Sequence, residues 1–213
     1  MKSLGKPPFV CLITEGKLTS ENYRSEGRRV IEAISAAVYD GVHLVQIRER
    51  DLPARLLFEL TTDVVAALKV SDTLVLVNDR ADIAIAAGAD GVHLRESSLR
   101  PRVIRDTFPA DLVVGVSTHD AQGARSAVAG SADFIFFGPV FDSPGKGAAQ
   151  GCDELQNVCR AVGKFPVIAL GGIDGDNVEL VMDAGASGVA GIRSMHDAHD
   201  RRRILNAVKA SLE

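Results

Sequence analysis

The sequence lacks the features that mark several specialised classes of protein. Its three cysteines, Cys11, Cys152 and Cys159, are odd in number and unclustered, which argues against a disulfide framework or a zinc site and predicts reduced thiols. No apolar run approaches the roughly 18 residues that cross a bilayer, and the opening residues MKSLGKPPFV lack the apolar core of a signal peptide. We therefore expect a cytoplasmic protein with no membrane partner.

A surplus of positive charge is also missing. The chain carries 24 basic and 28 acidic residues, a net charge of −4, which argues against nonspecific binding to nucleic acid. Hydrophobic residues make up 46% of the 213 positions, which is enough to build a packed core. Because neither a linker nor a low-complexity segment interrupts the chain, we predict a single domain over residues 1–213.

Short apolar runs alternate along the chain with segments of helical spacing. The runs lack polar alternation, which is typical of parallel strands buried on both faces; they cover 9–14, 43–48, 73–78, 91–94, 112–117, 134–138, 166–170 and 188–192. The helical segments cover 24–40, 53–69, 80–87, 100–108, 120–129, 153–162, 175–184 and 198–211. Eight of each predict an α/β fold, a single (β/α)8 TIM barrel with its active site at the C-terminal mouth of the strands. An open doubly wound sheet is the alternative, and it is disfavoured because no G-x-G-x-x-G follows the first strand.

A weak internal repeat supports this architecture. The sequence AGADGV at 87–92 recurs as AGASGV at 184–189 and more loosely as GSADFI at 130–135. Each copy is predicted to end a helix, turn the chain at a glycine that can adopt the left-handed conformation, and begin a strand.

Polar side chains gather where the predicted strands end, and those ends meet at one mouth of a barrel. Gln46, Arg48 and Arg50 alternate by two at the end of the second strand, so they share the face that points into the mouth. An amide beside two guanidinium groups suits a doubly charged anion, because arginine binds phosphate through its planar fork. For Arg50 alone, a salt bridge with Glu49 or Asp51 explains the residue equally well.

Two further pairs follow the third and fifth strands. Asn78 and Asp79 form either a site for Mg²⁺ beside a phosphate or a cap of the next helix, and taken alone the cap is the favoured interpretation. Ser117 and His119 share a face if the fifth strand continues that far, but without an acidic partner or a G-x-S-x-G they do not form a nucleophilic triad. His119 acts either as an acid or base or as a helix cap.

Glycine-rich segments complete the predicted mouth. The loop at 138–147 carries Lys146 and can offer backbone N–H groups and one cation to an anion. Gly172 follows the seventh strand and Ile192 and Arg193 follow the eighth, where barrels commonly bind phosphate. Two anion sites on one mouth imply two phosphorylated groups.

The other histidines are interpreted as structural or solvated. His43 and His93 lie within or at the start of predicted strands, a position typical of a histidine whose hydrogen bonds the fold satisfies. His196 and His199 are placed in a solvated turn before the last helix.

Six colinear motifs over residues 9–195 resemble the motif series of thiamin phosphate synthases, and together they are far more specific than any one alone. They are VQIRE at 45–49, VNDR at 77–80, GADGVHL at 88–94, GVSTH at 115–119, GPVF at 138–141 and ALGGI at 169–173. A sister group, the thiazole tautomerases, shares the barrel and several of these motifs.

The resemblance implies a transferase of thiamin biosynthesis that joins hydroxymethylpyrimidine diphosphate to thiazole phosphate and releases pyrophosphate with Mg²⁺ as cofactor. Its partners would be these phosphorylated small molecules, and the resemblance is compatible with a homodimer. Carried over by position, the resemblance implies that Gln46 holds the pyrimidine, that Arg48 and Asn78 contact the diphosphate, and that Asp79 ligates Mg²⁺. It also implies that Ser117 faces the reacting centre, that Lys146 neutralises the leaving group, and that Gly172 offers its backbone to the thiazole phosphate. The further substrate-binding residues would be Arg50, Ile192 and Arg193.

The sequence departs from the synthase pattern at four places. Synthases usually carry lysine at the position of Arg50, a serine at that of Arg193, and two threonines in the loop that here covers 142–146. The aspartate that supplies their second Mg²⁺ ligand falls on Ser98. Two explanations for that missing ligand stay open: Glu96 supplies the carboxylate, or arginines such as Arg95 and Arg193 replace the charge of the metal.

Three hypotheses are therefore carried forward. A synthase predicts metal-dependent turnover that Asp79→Ala abolishes. A thiazole tautomerase predicts turnover that ignores EDTA and fails in His119→Asn, because His119 would then shuttle a proton on a carboxythiazole phosphate. The third hypothesis is an inactive protein that binds thiazole phosphate or thiamin phosphate.

Overall fold

Eight parallel strands close into a barrel in the order in which they occur along the chain. The structure, a computed structural model, describes residues 4–109, 111–145 and 147–211. Each strand pairs with the next and the last pairs with the first, which confirms the predicted barrel. The strands are β1 (Phe9–Ile13), β2 (Leu44–Ile47), β3 (Leu74–Asn78), β4 (Gly91–Leu94), β5 (Val113–Thr118), β6 (Phe134–Phe137), β7 (Val167–Leu170) and β8 (Gly188–Gly191).

Helices follow each strand and form the outer layer. They are α1 (Tyr23–Asp40), α2 (Ala54–Ala67), α3 (Ala81–Ala86), α4 (Pro101–Thr107), α5 (Ala121–Ala129), α6 (Gly151–Val162), α7 (Val178–Asp183), α8 (Arg193–His196) and α9 (Ala198–Ala210). The short helix α8 is absent from the prediction, because four residues are too few to show helical spacing. The turn predicted for His196 and His199 is wrong, since His196 is the last residue of α8 and His199 lies in α9. His199 is exposed, as expected, whereas His196 is half-buried.

Two apolar layers hold the barrel together, one on each face of the strands. The larger layer lies between the strands and the helices, and the smaller one fills the inside of the barrel, where Phe134 and Phe136 are its largest members. Gly115 on β5 makes room for this filling, since a Cβ atom there would lie 2.2 Å from Cζ of Phe134. The inside of the barrel is therefore a packed core rather than a pore, and a ligand of the barrel would bind at its mouth.

The structure also bears on the cysteines and on the length of the apolar helices within the described ranges. All three cysteines are free, and burial raises the pKa of the Cys159 thiol to about 11, so it stays protonated at neutral pH. None of the helices that the structure describes is long and apolar enough to cross a bilayer.

Candidate active site

A cavity of about 950 Å³ opens at the C-terminal ends of the strands, which is large enough for two small ligands. The predicted polar strand ends converge on it from around the barrel. The predicted site residues that line it are Gln46, Arg48, Arg50, Asn78, Ser117, His119, Gly172, Ile192 and Arg193. Asp79 is not part of the lining, and Lys146 lies outside the described residues.

The floor of the cavity carries a buried amide pair. Gln46 is 2% exposed and its Nε2 donates to Oδ1 of Asn78 over 2.9 Å. Inward-pointing positions on β2 and β3 bring the two side chains together, because every second residue of a strand faces the barrel interior. Oε1 of Gln46 is buried and accepts no hydrogen bond from any described residue. A buried acceptor without a donor is costly, so this oxygen is suited to a donor on a bound ligand.

His93 also lies at the floor, which corrects its interpretation as a satisfied structural residue. Its Nε2 is 3.4 Å from Oγ of Ser117 on the neighbouring strand, while its Nδ1 is buried and has no partner within the described ranges. Burial lowers the pKa of His93 to about 3, so the ring is neutral at physiological pH. A Cβ atom at Gly91 would meet Leu76 of the layer inside the barrel, so His93, two residues further along β4, also points inward.

Two arginines follow the floor residues of β2 along the cavity wall. The backbone N–H of Arg48 donates to Oγ1 of Thr14 over 2.8 Å, which ties the end of β2 to β1. Partial burial lowers the pKa of Arg48, and the nearby positive charge of Arg50 lowers it further. The carboxylate of Glu49 accepts from the N–H groups of Gly16 and Leu18 instead of pairing with Arg50.

The alternative in which Arg50 only forms a salt bridge with Glu49 is therefore wrong. Within the described part of the chain Arg50 forms no ion pair with Asp51 either. Its guanidinium thus contributes positive charge to the cavity wall without a carboxylate that offsets it.

Asp79 sits just behind this wall in the left-handed backbone conformation, with φ of 56°. Its Oδ1 accepts from the N–H of Arg95 over 3.1 Å and from Oγ of Ser98, and its Oδ2 accepts from Nε of Arg95. Burial opposes ionisation, but the hydrogen bonds from Ser98 and Arg95 outweigh it and lower the pKa of Asp79. The interpretation of Asn78 or Asp79 as a helix cap is wrong, since Arg80 occupies the N-cap of α3 and no side chain caps that helix.

This donor set does not fit the magnesium site that the resemblance implies. Mg²⁺ is bound through one or two carboxylates together with phosphate oxygens, whereas both oxygens of Asp79 already accept hydrogen bonds and Ser98 donates to them. Glu96 does not supply the second carboxylate here, because it faces His119 at 3.8 Å. Among the described residues, no group of three acidic, histidine or cysteine side chains could hold a metal ion.

His119 stands at the end of β5 with a defined orientation. Its Nδ1 lies 2.5 Å from the carbonyl oxygen of Gly138, and since a carbonyl only accepts, Nδ1 carries the proton. In the neutral ring Nε2 is then a bare acceptor, and it faces Glu96. The alternative role of His119 as a helix cap is wrong, because Asp120 caps α5 by accepting from the N–H of Gly123.

The ends of β7 and β8 supply the other side of the cavity. Gly172 has φ of +65°, and a Cβ atom there would lie 2.6 Å from the carbonyl oxygen of Asp142, so only glycine fits. Its carbonyl accepts from Nδ2 of Asn177, while its N–H has no acceptor in the part of the chain that the structure describes. Arg193, at the start of α8, is exposed and forms no ion pair with another described residue.

The loop after β6 covers this side of the cavity. Asp142, Ser143 and Pro144 belong to the lining. The role predicted for Lys146 stays a prediction, as does any motion of the loop.

A family model, curated relatives and a solved structure that match this chain carry related descriptions. A family model described as thiamine monophosphate synthase matches residues 10–195. The thiamine-phosphate synthase of Haloarcula marismortui is 35% identical over 210 residues, which cover 96% of each chain. That of Anaeromyxobacter dehalogenans is 39% identical over 181 residues, which cover 84% of this chain and 81% of the relative. Among solved structures, the thiamine phosphate pyrophosphorylase of Pyrococcus furiosus superposes with a TM-score of 0.83 at 27% identity, covering 96% of this chain and 97% of that one.

Proposed function

The chain belongs to the thiamine monophosphate synthase family, and from this premise we propose that its cavity joins hydroxymethylpyrimidine diphosphate to thiazole phosphate. The products are thiamin phosphate and pyrophosphate. The observation that carries the proposal is the presence of positively charged side chains on two opposite sides of the barrel mouth. Arg48, Arg50 and Arg95 line the side of β2 and β4, and Arg193 lines the side of β8, which lies across the ring from β4.

The β2 to β4 side suits the pyrimidine diphosphate. Gln46 can accept a hydrogen bond from the ring through its unpartnered Oε1, while its Nε2 is fixed by Asn78. Arg48 and Arg50 stand two and four residues further along the same strand end, where their guanidinium groups can hold the diphosphate oxygens. The ring is thus held deep in the mouth and the charged group nearer to solvent.

The reaction breaks one bond and forms another. The C–O bond between the pyrimidine methylene and the diphosphate breaks, and its electron pair leaves with pyrophosphate. The nitrogen of the thiazole then donates its lone pair to that methylene carbon and forms the new C–N bond. The arginines lower the barrier by stabilising the negative charge that develops on the leaving group. Ser117, held by neutral His93 at the floor, faces the reacting carbon.

The β7 to β8 side suits the thiazole phosphate. The N–H of Gly172 and the guanidinium of Arg193 are both free to bind phosphate oxygens there. Binding both substrates in one cavity positions the nucleophilic nitrogen beside the carbon that it attacks, which is a large part of the catalysis of such a displacement.

The proposal is tested by following thiamin phosphate as fluorescent thiochrome after mixing both substrates with the purified protein and Mg²⁺. Wild type is expected to form product. Gln46→Ala is expected to lower kcat/KM about 10- to 100-fold, because it removes a buried hydrogen bond to the substrate worth roughly 1.5–3 kcal/mol. The matched control is Gln156→Ala on α6, outside the cavity, which should leave kcat/KM unchanged. Absence of thiamin phosphate with the folded wild-type protein would contradict the proposal.

A tautomerase is the second candidate, and the orientation of His119 favours it. In the neutral ring the hydrogen bond to Gly138 places the proton on Nδ1, so Nε2 is the nitrogen that can accept a proton at the cavity lining, as a general base requires. The synthase reaction moves no proton at this position. Wild-type protein that isomerises carboxythiazole phosphate, with loss of that activity in His119→Asn and unchanged thiochrome formation, would establish the second activity. Turnover of either substrate set would exclude an inactive binding protein.

A further inference from the structure

The loop after β4 places a guanidinium beside the carboxylate of Asp79, and it carries a serine at the position of the second carboxylate. Arg95 contacts Asp79 through both its backbone N–H and its Nε, so the contact is made by two groups of one residue. Ser98 binds the same carboxylate from three residues further along. Asn78 adds a fourth donor at 3.3 Å. All four contacts to the carboxylate of Asp79 therefore come from hydrogen-bond donors, whereas a metal site would need further oxygen ligands.

The contact between Arg95 and Asp79 differs from an ordinary surface ion pair, which contributes little to the stability of a protein. The side chain of Asp79 is only 16% exposed. The backbone N–H of Asp79 donates to the carbonyl oxygen of His93, which fixes the backbone at this residue. The side chain of Arg95 is 56% exposed and lines the cavity. Because Nε binds Asp79, the two terminal nitrogens of Arg95 are left without a described partner and can form the two parallel hydrogen bonds that arginine makes to phosphate.

The local charge is the same as that of a metal site. A divalent cation with two carboxylates sums to zero, and Arg95 with Asp79 and the neutral Ser98 also sums to zero. Glu96 also lines the cavity, but its carboxylate faces His119 at 3.8 Å and forms no hydrogen bond or ion pair with Arg95 among the described residues. A positive group can therefore face the diphosphate without recruiting an ion from solution.

We propose that the guanidinium of Arg95, held by Asp79, takes the place of a divalent cation at the diphosphate, so that this chain binds the diphosphate group without a metal. This inference rests on the proposed function for the identity of the ligand. Arg95 binds the diphosphate oxygens with its terminal nitrogens, next to Arg48 and Arg50. Asp79 acts as a positioning residue that orients Arg95.

Calorimetric titration with inorganic pyrophosphate tests the proposal. We expect removal of Mg²⁺ with EDTA to leave the affinity of wild type undiminished, and Arg95→Gln to weaken binding in EDTA at least tenfold. The matched control is Arg102→Gln on α4, whose guanidinium pairs with Asp106 outside the cavity, and it should change the affinity less than twofold. Binding that is at least tenfold tighter with Mg²⁺ than with EDTA, or Arg95→Gln that binds as tightly as Arg102→Gln, would overturn the proposal.

A second measurement uses Mn²⁺ alone and does not depend on turnover. The double variant Arg95→Gln/Ser98→Asp places two carboxylates side by side, and we expect it to bind one Mn²⁺, seen as loss of the free-ion signal in electron paramagnetic resonance. Wild type is expected to leave that signal unchanged. Wild type that binds one Mn²⁺, with loss of binding in Asp79→Asn, would contradict the inference.

These outcomes separate the inference from the proposed function. A protein that forms no thiamin phosphate but binds pyrophosphate through Arg95 without metal keeps the inference and loses the function. A protein that forms thiamin phosphate but binds pyrophosphate only with Mg²⁺ keeps the function and loses the inference.

Discussion

Single residues at the mouth derive their properties from what surrounds them rather than from their type. His93 and His119 lie one strand apart, yet the first is buried among Phe134 and Phe136 and the second is half exposed. Burial makes the charged form of His93 unfavourable, because a cation loses its hydration there. A neutral ring beside Ser117 therefore adds no positive charge to the floor of the cavity.

The depressed pKa of His93 predicts how stability depends on pH. The unfolded chain takes up a proton at this residue below about pH 6.5, but the folded protein does so only near pH 3. The free energy of unfolding should therefore fall as pH decreases from 6.5, by up to about 1.4 kcal/mol per pH unit from this residue. Urea denaturation at pH 7, 6 and 5 should show a shallower decline for His93→Gln than for wild type. His199→Gln, at an exposed position in α9, is the control; equal declines in all three proteins would refute the assignment.

At the scale of elements, the internal repeat places the same hydrogen bond at three positions around the barrel. Asp90, Asp133 and Ser187 precede β4, β6 and β8, and each side chain accepts from an N–H near the start of the odd-numbered strand beside it. The same three residues donate their own N–H groups to those strands. The repeat therefore sets the register between neighbouring strands, which explains why an acceptor side chain occupies the same place in each copy.

The predicted consequence is a loss of stability when the acceptor is removed. Asp90→Ala leaves the buried N–H of Val75 without the side chain that binds it at 3.0 Å, and an unsatisfied buried donor costs about 1–3 kcal/mol. Asp90→Asn keeps an acceptor oxygen and should cost less. Urea denaturation of the two variants measures the difference. A fully stable Asp90→Ala protein would show that this bond does not hold the register.

The sequence allowed the elements to be predicted better than the contacts between their loops. Continuous apolar runs locate all eight strands to within one or two residues, because burial on both faces leaves a clear pattern. The pairing of Arg95 with Asp79 could not be read in this way. It joins loops after β3 and β4, and it depends on the left-handed turn at Asp79, which local composition does not specify.

At the scale of the whole molecule, an ion pair joins the first and last helices. Arg201 on α9 is 4% exposed; its Nε donates to Oδ2 of Asp40 at the end of α1 over 3.0 Å, and its Nη1 donates to the carbonyl oxygen of Met195 on α8. The β1–β8 ladder closes the barrel at the same place in the ring. The pair therefore fastens the outer layer across the seam where the two ends of the chain meet.

Loss of Arg201 should weaken this closure in a pH-dependent way. Arg201→Met leaves Asp40 with only the exposed Arg202, and losing the hydrogen bonds that a charged donor makes to a carboxylate costs about 1.5–3 kcal/mol. The hydrogen bond from Arg201 lowers the pKa of Asp40, so its contribution is present above the unfolded value of about 3.9 and is lost as pH falls below it. At pH 7 the free energy of unfolding of Arg201→Met should be lower than that of wild type, and this difference should narrow at pH 3. The double variant Asp40→Leu/Arg201→Met should recover much of the lost stability, because an apolar pair needs no charge partner. A gap of the same size at both pH values would show that Arg201 acts through packing alone.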